Sequence, residues 1–463
     1  MTVLVDAVHS PLAASAPAAK RLTPVEVLLT RVLLVTVIGY LVLGRTFAYI
    51  GVPGLPIFIG ELVLVLCLLA VPTRRRFERA LGDLSRPGPW HVLSVLLVTV
   101  IVVGALTAAR GIATGSDVVR ALMSLPFNYY PLFLVVGLWW GAVDRQALRR
   151  CTLWLARVNA VYGVAYVLVL SRVTANLPGQ TDVPLFGNGN SAGLAILGIL
   201  VHHRERREAK VLMALNAFVL LGLQQRSEWL GFALGLLAYC LLTRQMKSLA
   251  QGTAAVVGLL AVVSLLGLTI PGAAGRGGEV SLQGVVGRSI APVAPQVAAR
   301  LVDDSEIYTA TASWRTTWWD GIWTAAREDA ATGVLGHGYG YELFRLGENV
   351  PESTRTPHNA FFYALGYSGW LGVTVIALLW SFLAFRLWIV RRRTGEGYGL
   401  VLGVFALSLG MFGNWFETPF GALPTYLLLG LAIAPLQAFD GLTADRPQPP
   451  RRRSRAASVR APG

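Results

Sequence analysis

The chain has 463 residues, of which 54% are hydrophobic and only 14% are charged, and its formal net charge is +15. A soluble domain would carry about a quarter charged residues, so this composition excludes a soluble globular protein. The positive charge does not indicate nucleic-acid binding, because the basic residues cluster in short loops between apolar segments. Anionic membrane lipids are sufficient partners for these clusters.

Apolar windows of membrane-spanning length recur along the chain and predict an all-α polytopic membrane protein with about twelve transmembrane helices. The predicted spans are residues 25–44, 55–71, 91–110, 123–142, 151–170, 189–201, 211–225, 228–243, 251–270, 358–386, 398–416 and 419–436. Starting from a cytoplasmic N-terminus, alternation places every basic cluster on the cytoplasmic side, as the positive-inside rule requires. The chain is therefore expected to be a multi-pass protein of the plasma (inner) membrane.

This topology divides the chain into five parts. They are a cytoplasmic tail (1–24), nine spans (25–270), an external loop (271–357), three spans (358–436) and a disordered basic cytoplasmic tail (437–463). Both termini are then cytoplasmic, and the large loop faces the outside.

The external loop is predicted to contain an amphipathic helix at Ser313–Asp329. Apolar residues recur there at helical spacing, at Trp314, Trp318, Ile322 and Ala326. We expect the tryptophans of this helix to lie at the outer membrane interface. A glycine-rich segment follows, at residues 333–340, and predicts a flexible turn.

A histidine stands where this loop ends. Thr356, Pro357 and His358 are predicted to be the N-cap and first two residues of the tenth span, since Thr caps well and Pro suits a first turn. A helix N-terminus disfavours a cation, so we expect a lowered pKa and a neutral ring for His358. Such a ring can accept a proton as a general base. The alternative is a solvated cap residue or a partner for a lipid phosphate.

Two arginines on the same predicted face are candidate anion ligands. Arg226 lies in a polar interruption, Gln224–Glu228, that predicts an external hairpin. A guanidinium is costly at membrane depth and binds phosphate oxygens through two hydrogen bonds. The alternative pairs Arg226 with Glu228 at the interface. Arg315 begins the tryptophan-rich helix, and its alternative is a surface arginine stacked on tryptophan.

Further polar residues fall on this face. Asn188 and Asn190 lie at the start of the sixth span, where turn and cap roles are the alternative. Glu417 lies at the external end of the last span, where it could orient His358 or replace it as the base. The acidic segment Asp303–Glu306 could bind a divalent cation, although carboxylates on a soluble loop are more often solvated.

A base and two arginines at an outer leaflet suit a lipid-diphosphate leaving group. The arginines would neutralise charge developing on the diphosphate, and the histidine would deprotonate an acceptor hydroxyl. This chemistry requires no metal and no other cofactor.

Over roughly residues 185–375 the chain resembles the O-antigen ligase and O-antigen polymerase superfamily. The matching motifs are Gly187–Ser191, Arg226-Ser227 before Gly231, Trp314-Arg315 before Gly336–Gly340, and His358–Phe362 before Gly366. Two positions depart from the pattern. Glu228 replaces an expected small or apolar residue, and His337 within the glycine-rich turn competes with His358 for the role of base.

The resemblance implies a membrane glycosyltransferase fold of the C type and an inverting transfer without a nucleotide sugar, metal or cofactor. The donor would be a polyprenyl-diphosphate-linked glycan, and the acceptor a hydroxyl of a glycan or glycolipid. The resemblance assigns His358 as base or acceptor-orienting residue, with Asn359 beside it in the motif, and Arg226 and Arg315 to the diphosphate.

Other activities stay open. A ligase is the leading interpretation, and a polymerase is its alternative, because the two differ in the acceptor and not in the donor chemistry. A metal-dependent glycosyltransferase would use the acidic segment 303–306. A transporter would carry ionisable residues deep within its spans, and few are present.

Overall fold

The computed structural model describes most of the helical part of the chain. The described residues are 22–51, 57–70, 88–177, 180–185, 191–247, 250, 258, 262, 265, 272–273, 280–290, 294–301, 305–348, 350–351, 354 and 356–436. Five helices in this part are long and apolar enough to cross a membrane, namely Pro24–Leu43, Pro89–Ala113, Val118–Val143, Ala147–Leu168 and Ala360–Thr394. Shorter apolar helices accompany them, at Ile59–Ala70, Ser191–His202, Ala209–Leu223, Tyr398–Phe412 and Pro419–Ile433. These helices support the prediction of an all-α membrane protein. Most of the predicted span at 251–270 lies outside the described residues.

In chain order the helices are α1 (Pro24–Leu43), α2 (Arg45–Ala48), α3 (Ile59–Ala70), α4 (Pro89–Ala113), α5 (Val118–Ser124), α6 (Pro126–Tyr129), α7 (Phe133–Val143), α8 (Ala147–Leu168), α9 (Ser191–His202), α10 (Ala209–Leu223), α11 (Arg226–Thr243), α12 (Leu282–Ile290), α13 (Pro295–Ala299), α14 (Ser305–Glu328), α15 (Ala330–Leu335), α16 (Ala360–Thr394), α17 (Tyr398–Phe412) and α18 (Pro419–Ile433). Short 3₁₀ helices lie at Tyr130–Leu132, Leu170–Arg172 and Leu343–Leu346. A small antiparallel hairpin, β1 (Thr174–Leu177) and β2 (Gln180–Pro184), was not predicted.

Helix α18 forms the centre of the packed helices. Every residue from Phe420 to Ile433 is buried. Two glycines bring its backbone close to that of α7, because a Cβ on Gly137 would collide with the carbonyl of Leu427 and a Cβ on Gly430 with that of Leu134. Small residues at such contacts let membrane helices approach closely. This packing fixes the start of α18, next to Glu417.

Helix α16 is bent at Gly369, which has a φ of +62° inside an otherwise continuous helix. The glycine-rich turn packs against this bend. Its N–H groups at His337, Gly338 and Tyr339 donate to the carbonyls of Gly366, Tyr367 and Thr107 at 2.9, 2.9 and 3.0 Å. The turn that was predicted to be flexible is therefore held by backbone hydrogen bonds to α16 and α4.

The amphipathic helix of the external loop is confirmed as α14, which begins earlier than predicted, at Ser305. Trp318 of this helix is fully buried and donates its indole N–H to the carbonyl of Leu343 at 2.6 Å. Trp319 stacks on Phe362 with ring centroids 5.4 Å apart. These two tryptophans face protein because α14 packs along the first turns of α16.

Candidate active site

Asn359 is the N-cap of α16, and it ties the preceding turn to α17. Its Oδ1 accepts the backbone N–H groups of Phe361 and Phe362 at 2.9 and 3.2 Å, while its Nδ2 donates to the carbonyl of Met411 at 2.8 Å. The prediction that Thr356 caps this helix is wrong, because the helix begins at residue 360 and Asn359 supplies the capping oxygen.

His358 lies in the turn before the helix rather than in its first turn. Its φ is +54°, in the left-handed region that residues other than glycine rarely adopt. Burial, together with the smaller effects of the Arg315 and Arg45 guanidinium groups, lowers the pKa of His358 to about 4. The expected lowering of this pKa is thus present, but its causes are burial and nearby cations. The ring of Trp314 lies edge-on, with centroids 6.1 Å apart.

Arg315 projects from α14 toward this turn. Its guanidinium lies over the ring of Trp314, 5.3 Å from the centroid, so the stacking predicted as an alternative is present. Burial lowers the pKa of Arg315, the charge of Arg226 lowers it further, and Glu417 opposes them. The Nε of Arg315 is buried and has no hydrogen-bond partner among the described residues. The structure therefore brings the two candidate arginines within electrostatic range of each other.

Arg226 is the first residue of α11. The next residue, Ser227, adjoins the turn between α17 and α18, since a Cβ on Gly413 would lie 3.8 Å from the Ser227 hydroxyl. That turn carries Glu417. The start of α11 and the start of α18 therefore border the same region.

Glu228 is fully buried at the start of α9. Its Oε1 accepts the backbone N–H of Gly193 at 3.1 Å. A carboxylate suits the N-terminal end of a helix, where unpaired N–H groups carry partial positive charge. The residue that departs from the family pattern therefore holds two helices together.

Glu417 lies against the turn that carries His358. Burial raises the pKa of its carboxyl to about 8, although the Thr356 hydroxyl, the backbone N–H groups of Asn359 and His358, and the charge of Arg315 all lower it. Both carboxyl oxygens are buried, and neither has a hydrogen bond of normal geometry within the described part of the chain. At neutral pH this group is therefore mostly a neutral acid.

His337 is not part of this group. Its ring stacks on Tyr341 with centroids 4.3 Å apart. Burial lowers the pKa of His337, the charge of Arg110 lowers it further, and Asp329 opposes them. It therefore belongs to the packed glycine-rich turn.

The structure also adds one cation that was not predicted for the site. Arg45, the first residue of α2, is exposed and close enough to lower the pKa of His358. The sequence signal was its place among the few arginines on the external side. Asn188, Asn190, Asp303 and Asp304 lie outside the described residues, and the side chain of Glu306 is not described. No group of three or more potential metal-ligating side chains occurs within the described ranges.

An apolar groove of about 150 Å³ adjoins the polar residues. It lies among α16, α17 and α18, and its walls include Phe361, Trp380, Met411, Phe416 and Tyr426. Phe416 directly precedes Glu417, and Phe361 follows the cap Asn359 by two residues. The site therefore joins a charged region to a hydrocarbon-lined groove.

Comparison with known proteins gives one family. Residues 211–377 match the family model described as O-antigen ligase. No curated protein matches the chain. The matched segment contains Arg226, Arg315, His358 and Asn359, whereas Glu417 lies beyond its end. The match confirms the resemblance to the O-antigen ligase family over this segment of the chain.

Proposed function

We propose that the protein transfers a glycan from a polyprenyl-diphosphate-linked donor to an acceptor hydroxyl at the outer face of the plasma membrane. The observation that carries this proposal is the position of Arg315 between Arg226 and His358. These residues come from α11, α14 and the turn before α16; the charge of Arg226 acts on Arg315, and the charge of Arg315 acts on His358. A site with two guanidiniums and a neutral imidazole suits an anionic leaving group and a hydroxyl nucleophile.

The reaction is a single displacement. The acceptor oxygen forms a bond to the anomeric carbon of the donor glycan, the bond from that carbon to the diphosphate oxygen breaks, and the configuration inverts. The electron pair leaves on the diphosphate, where Arg226 and Arg315 stabilise the developing charge. The hydroxyl proton passes to His358.

Donor binding would also strengthen the base. In the empty site, Arg315 helps to hold the pKa of His358 near 4. A bound diphosphate places negative charge beside the same ring, and an anion raises the pKa of a neighbouring histidine. His358 thus becomes a better proton acceptor once the donor occupies the site.

The apolar groove supports a lipid-linked donor. Hydrocarbon lines the groove from Phe361 to Tyr426, and it begins beside the polar residues. A donor with a charged diphosphate and an isoprenoid chain requires these two environments to be adjacent. We place the chain in the groove and the diphosphate at the arginines.

The charge distribution supports an external orientation. Helix α16 begins at the site and ends at the basic run Arg391–Arg393. A helix of 35 residues is long enough to cross a bilayer, so the site and the basic run lie on opposite faces. Basic runs favour the cytoplasm, which supports cytoplasmic termini and a site that faces the outside.

The test is accumulation of undischarged lipid-linked glycan in cells that carry His358→Ala, Arg226→Ala or Arg315→Ala. We expect normal membrane insertion, loss of product and donor accumulation for each variant. His337→Ala and Arg327→Ala serve as matched controls, because His337 lies outside the group and Arg327 is exposed on α14. Normal product levels in all three site variants would refute the proposed site.

A polymerase is the alternative within the same chemistry. A ligase moves whole chains onto the acceptor, whereas a polymerase lengthens a lipid-linked chain. The length distribution of products made by the purified protein separates the two activities. EDTA in the same reaction addresses the metal-dependent alternative, since full activity in EDTA contradicts a role for the segment 303–306.

A further inference from the structure

Trp319 on α14 contacts the chain on both sides of His358. Its indole N–H donates to the carbonyl of Pro357 at 2.8 Å. Its ring stacks on Phe362, in the first turn of α16, with centroids 5.4 Å apart and an angle of 9° between the two planes. One side chain therefore bridges the turn, because it binds the peptide group that precedes His358 and packs on the helix that follows.

This hydrogen bond acts on the part of the turn that needs support. The carbonyl of Pro357 belongs to the same peptide group as the N–H of His358, so its direction is linked to the φ of His358. That φ is +54°, which a residue with a side chain adopts only where its surroundings hold it. Asn359 holds the other side of the turn through the carbonyl of Met411 on α17. The turn is thus fixed from two helices, and Trp319 supplies the contact from α14.

Trp319 shares a helix face with the candidate diphosphate ligand Arg315. The two residues are four positions apart on α14, and side chains at that spacing lie one turn apart on the same face. Trp314, which precedes Arg315, lies edge-on to the ring of His358 with centroids 6.1 Å apart. The same two turns of α14 therefore carry a candidate donor ligand and the contacts that hold the candidate base.

We propose that Trp319 is a positioning residue for glycan transfer, which directs His358 toward the acceptor hydroxyl by holding the Pro357–His358 peptide group. This inference rests on the proposed function. It gives Trp319 no contact with the donor, the acceptor or the reacting atoms. Because the hydrogen bond is made to the backbone, its loss should displace His358 and leave Arg226 and Arg315 in place.

The test replaces Trp319 with phenylalanine, which keeps a ring to stack on Phe362 and lacks the N–H donor. In steady-state transfer from a lipid-diphosphate donor, we expect kcat to fall by about 10²-fold, the effect of displacing a catalytic group by about 1 Å. The KM for the donor should stay within a few-fold of wild type, because both arginines remain. Trp319→Leu, which also loses the stacking, should lower kcat at least as far.

Trp318→Phe is the matched control. Trp318 is the neighbour of Trp319 on α14, and its replacement removes the same kind of bond, since its indole N–H donates to the carbonyl of Leu343 at 2.6 Å. Trp318 is fully buried, so Trp318→Phe should lower the Tm at least as much as Trp319→Phe. Its kcat, measured below its Tm, should stay within a few-fold of wild type. This comparison separates the placement of His358 from the stability of α14.

The pH profile separates a displaced base from a smaller amount of folded protein. Burial is the main cause that lowers the pKa of His358 to about 4 in the folded protein. A turn released from α14 exposes the ring to water, so the acid limb of kcat/KM should move from near pH 4 toward pH 6.5 in Trp319→Phe. Loss of folded protein would lower kcat equally at every pH and leave that limb in place.

Three results would overturn the proposal. A wild-type kcat in Trp319→Phe would show that the hydrogen bond does not position His358. An equal loss of kcat in Trp318→Phe and Trp319→Phe would show that both act through the stability of α14. A lower kcat with an unmoved acid limb would be the result of lost folded protein. Failure of the proposed function is distinguishable, because His358→Ala would then transfer glycan as the wild type does, whereas failure of this inference alone leaves His358→Ala inactive.

Discussion

Replacing Asn359 with alanine tests the turn that presents His358. The change removes the cap, which accepts two backbone N–H groups and typically contributes about 1 kcal/mol. It also removes the donor to the Met411 carbonyl, and a buried acceptor left without a partner costs roughly 1–3 kcal/mol. We therefore expect the free energy of unfolding to fall by about 2–4 kcal/mol. The measurement is unfolding of the purified protein in detergent.

The same variant should lose activity beyond what its stability explains. His358 is adjacent to the cap, and misplacing a catalytic group by about 1 Å can cost 10²-fold in rate. Asp117→Ala is the matched control, because Asp117 caps α5 through the N–H of Arg120 at 2.8 Å. It should lose about 1 kcal/mol and keep its activity. If Asn359→Ala is no less stable than Asp117→Ala and is equally active, this account of the turn is wrong.

Three further predictions concern charge and backbone. Inorganic pyrophosphate should raise the Tm of the wild type but not that of Arg315→Ala. At a pyrophosphate concentration of 100 Kd, the free energy of unfolding of the wild type should increase by about 2.7 kcal/mol. Burial and nearby cations lower the pKa of His358 to about 4, so its contribution to the free energy of unfolding should be complete above about pH 6.5 and lost as the pH falls toward 4. In His358→Gln the free energy of unfolding should depend less on pH across this range. Gly369→Ala should lower the free energy of unfolding by more than about 1 kcal/mol, since the φ of Gly369 is +62° and a Cβ there would collide with the backbone of Val334. A smaller loss of stability would mean that α16 straightens at this position.

Hydrophobic pattern was sufficient to predict most of the apolar helices. The predicted span 398–416 corresponds to α17, which ends at Phe412, and the predicted span 211–225 corresponds to α10 at Ala209–Leu223. Long apolar windows predict membrane helices because each must bury its own backbone polar groups. The predicted ends of the helices were less accurate, since a polar residue such as Arg226 can be the first residue of a helix or can precede it.

The start of α16 shows why the site could be predicted only in part. Topology alone placed Arg226, Arg315, His358 and Glu417 on one face, and the charges of these residues do influence one another in the structure. Thr356 and Asn359 both satisfy the chemical rule for a cap. The choice between them depends on the hydrogen bond from Asn359 to the carbonyl of Met411, 52 residues away. The local sequence around residue 359 does not reveal that long-range contact.

The charges around the candidate site argue for a ligand and against a purely structural cluster. Arg120 and Arg345 both pair with Glu342, as exposed arginines commonly do. Arg315 differs, because it is half-buried near a second arginine and its buried Nε has no hydrogen-bond partner in the described part of the chain. Its nearby carboxyl, Glu417, is largely protonated at neutral pH. Gathering cations in this way lowers stability, since each depressed pKa reports an unfavourable interaction. A bound anion would remove that cost, which supports the proposal that the donor carries a diphosphate.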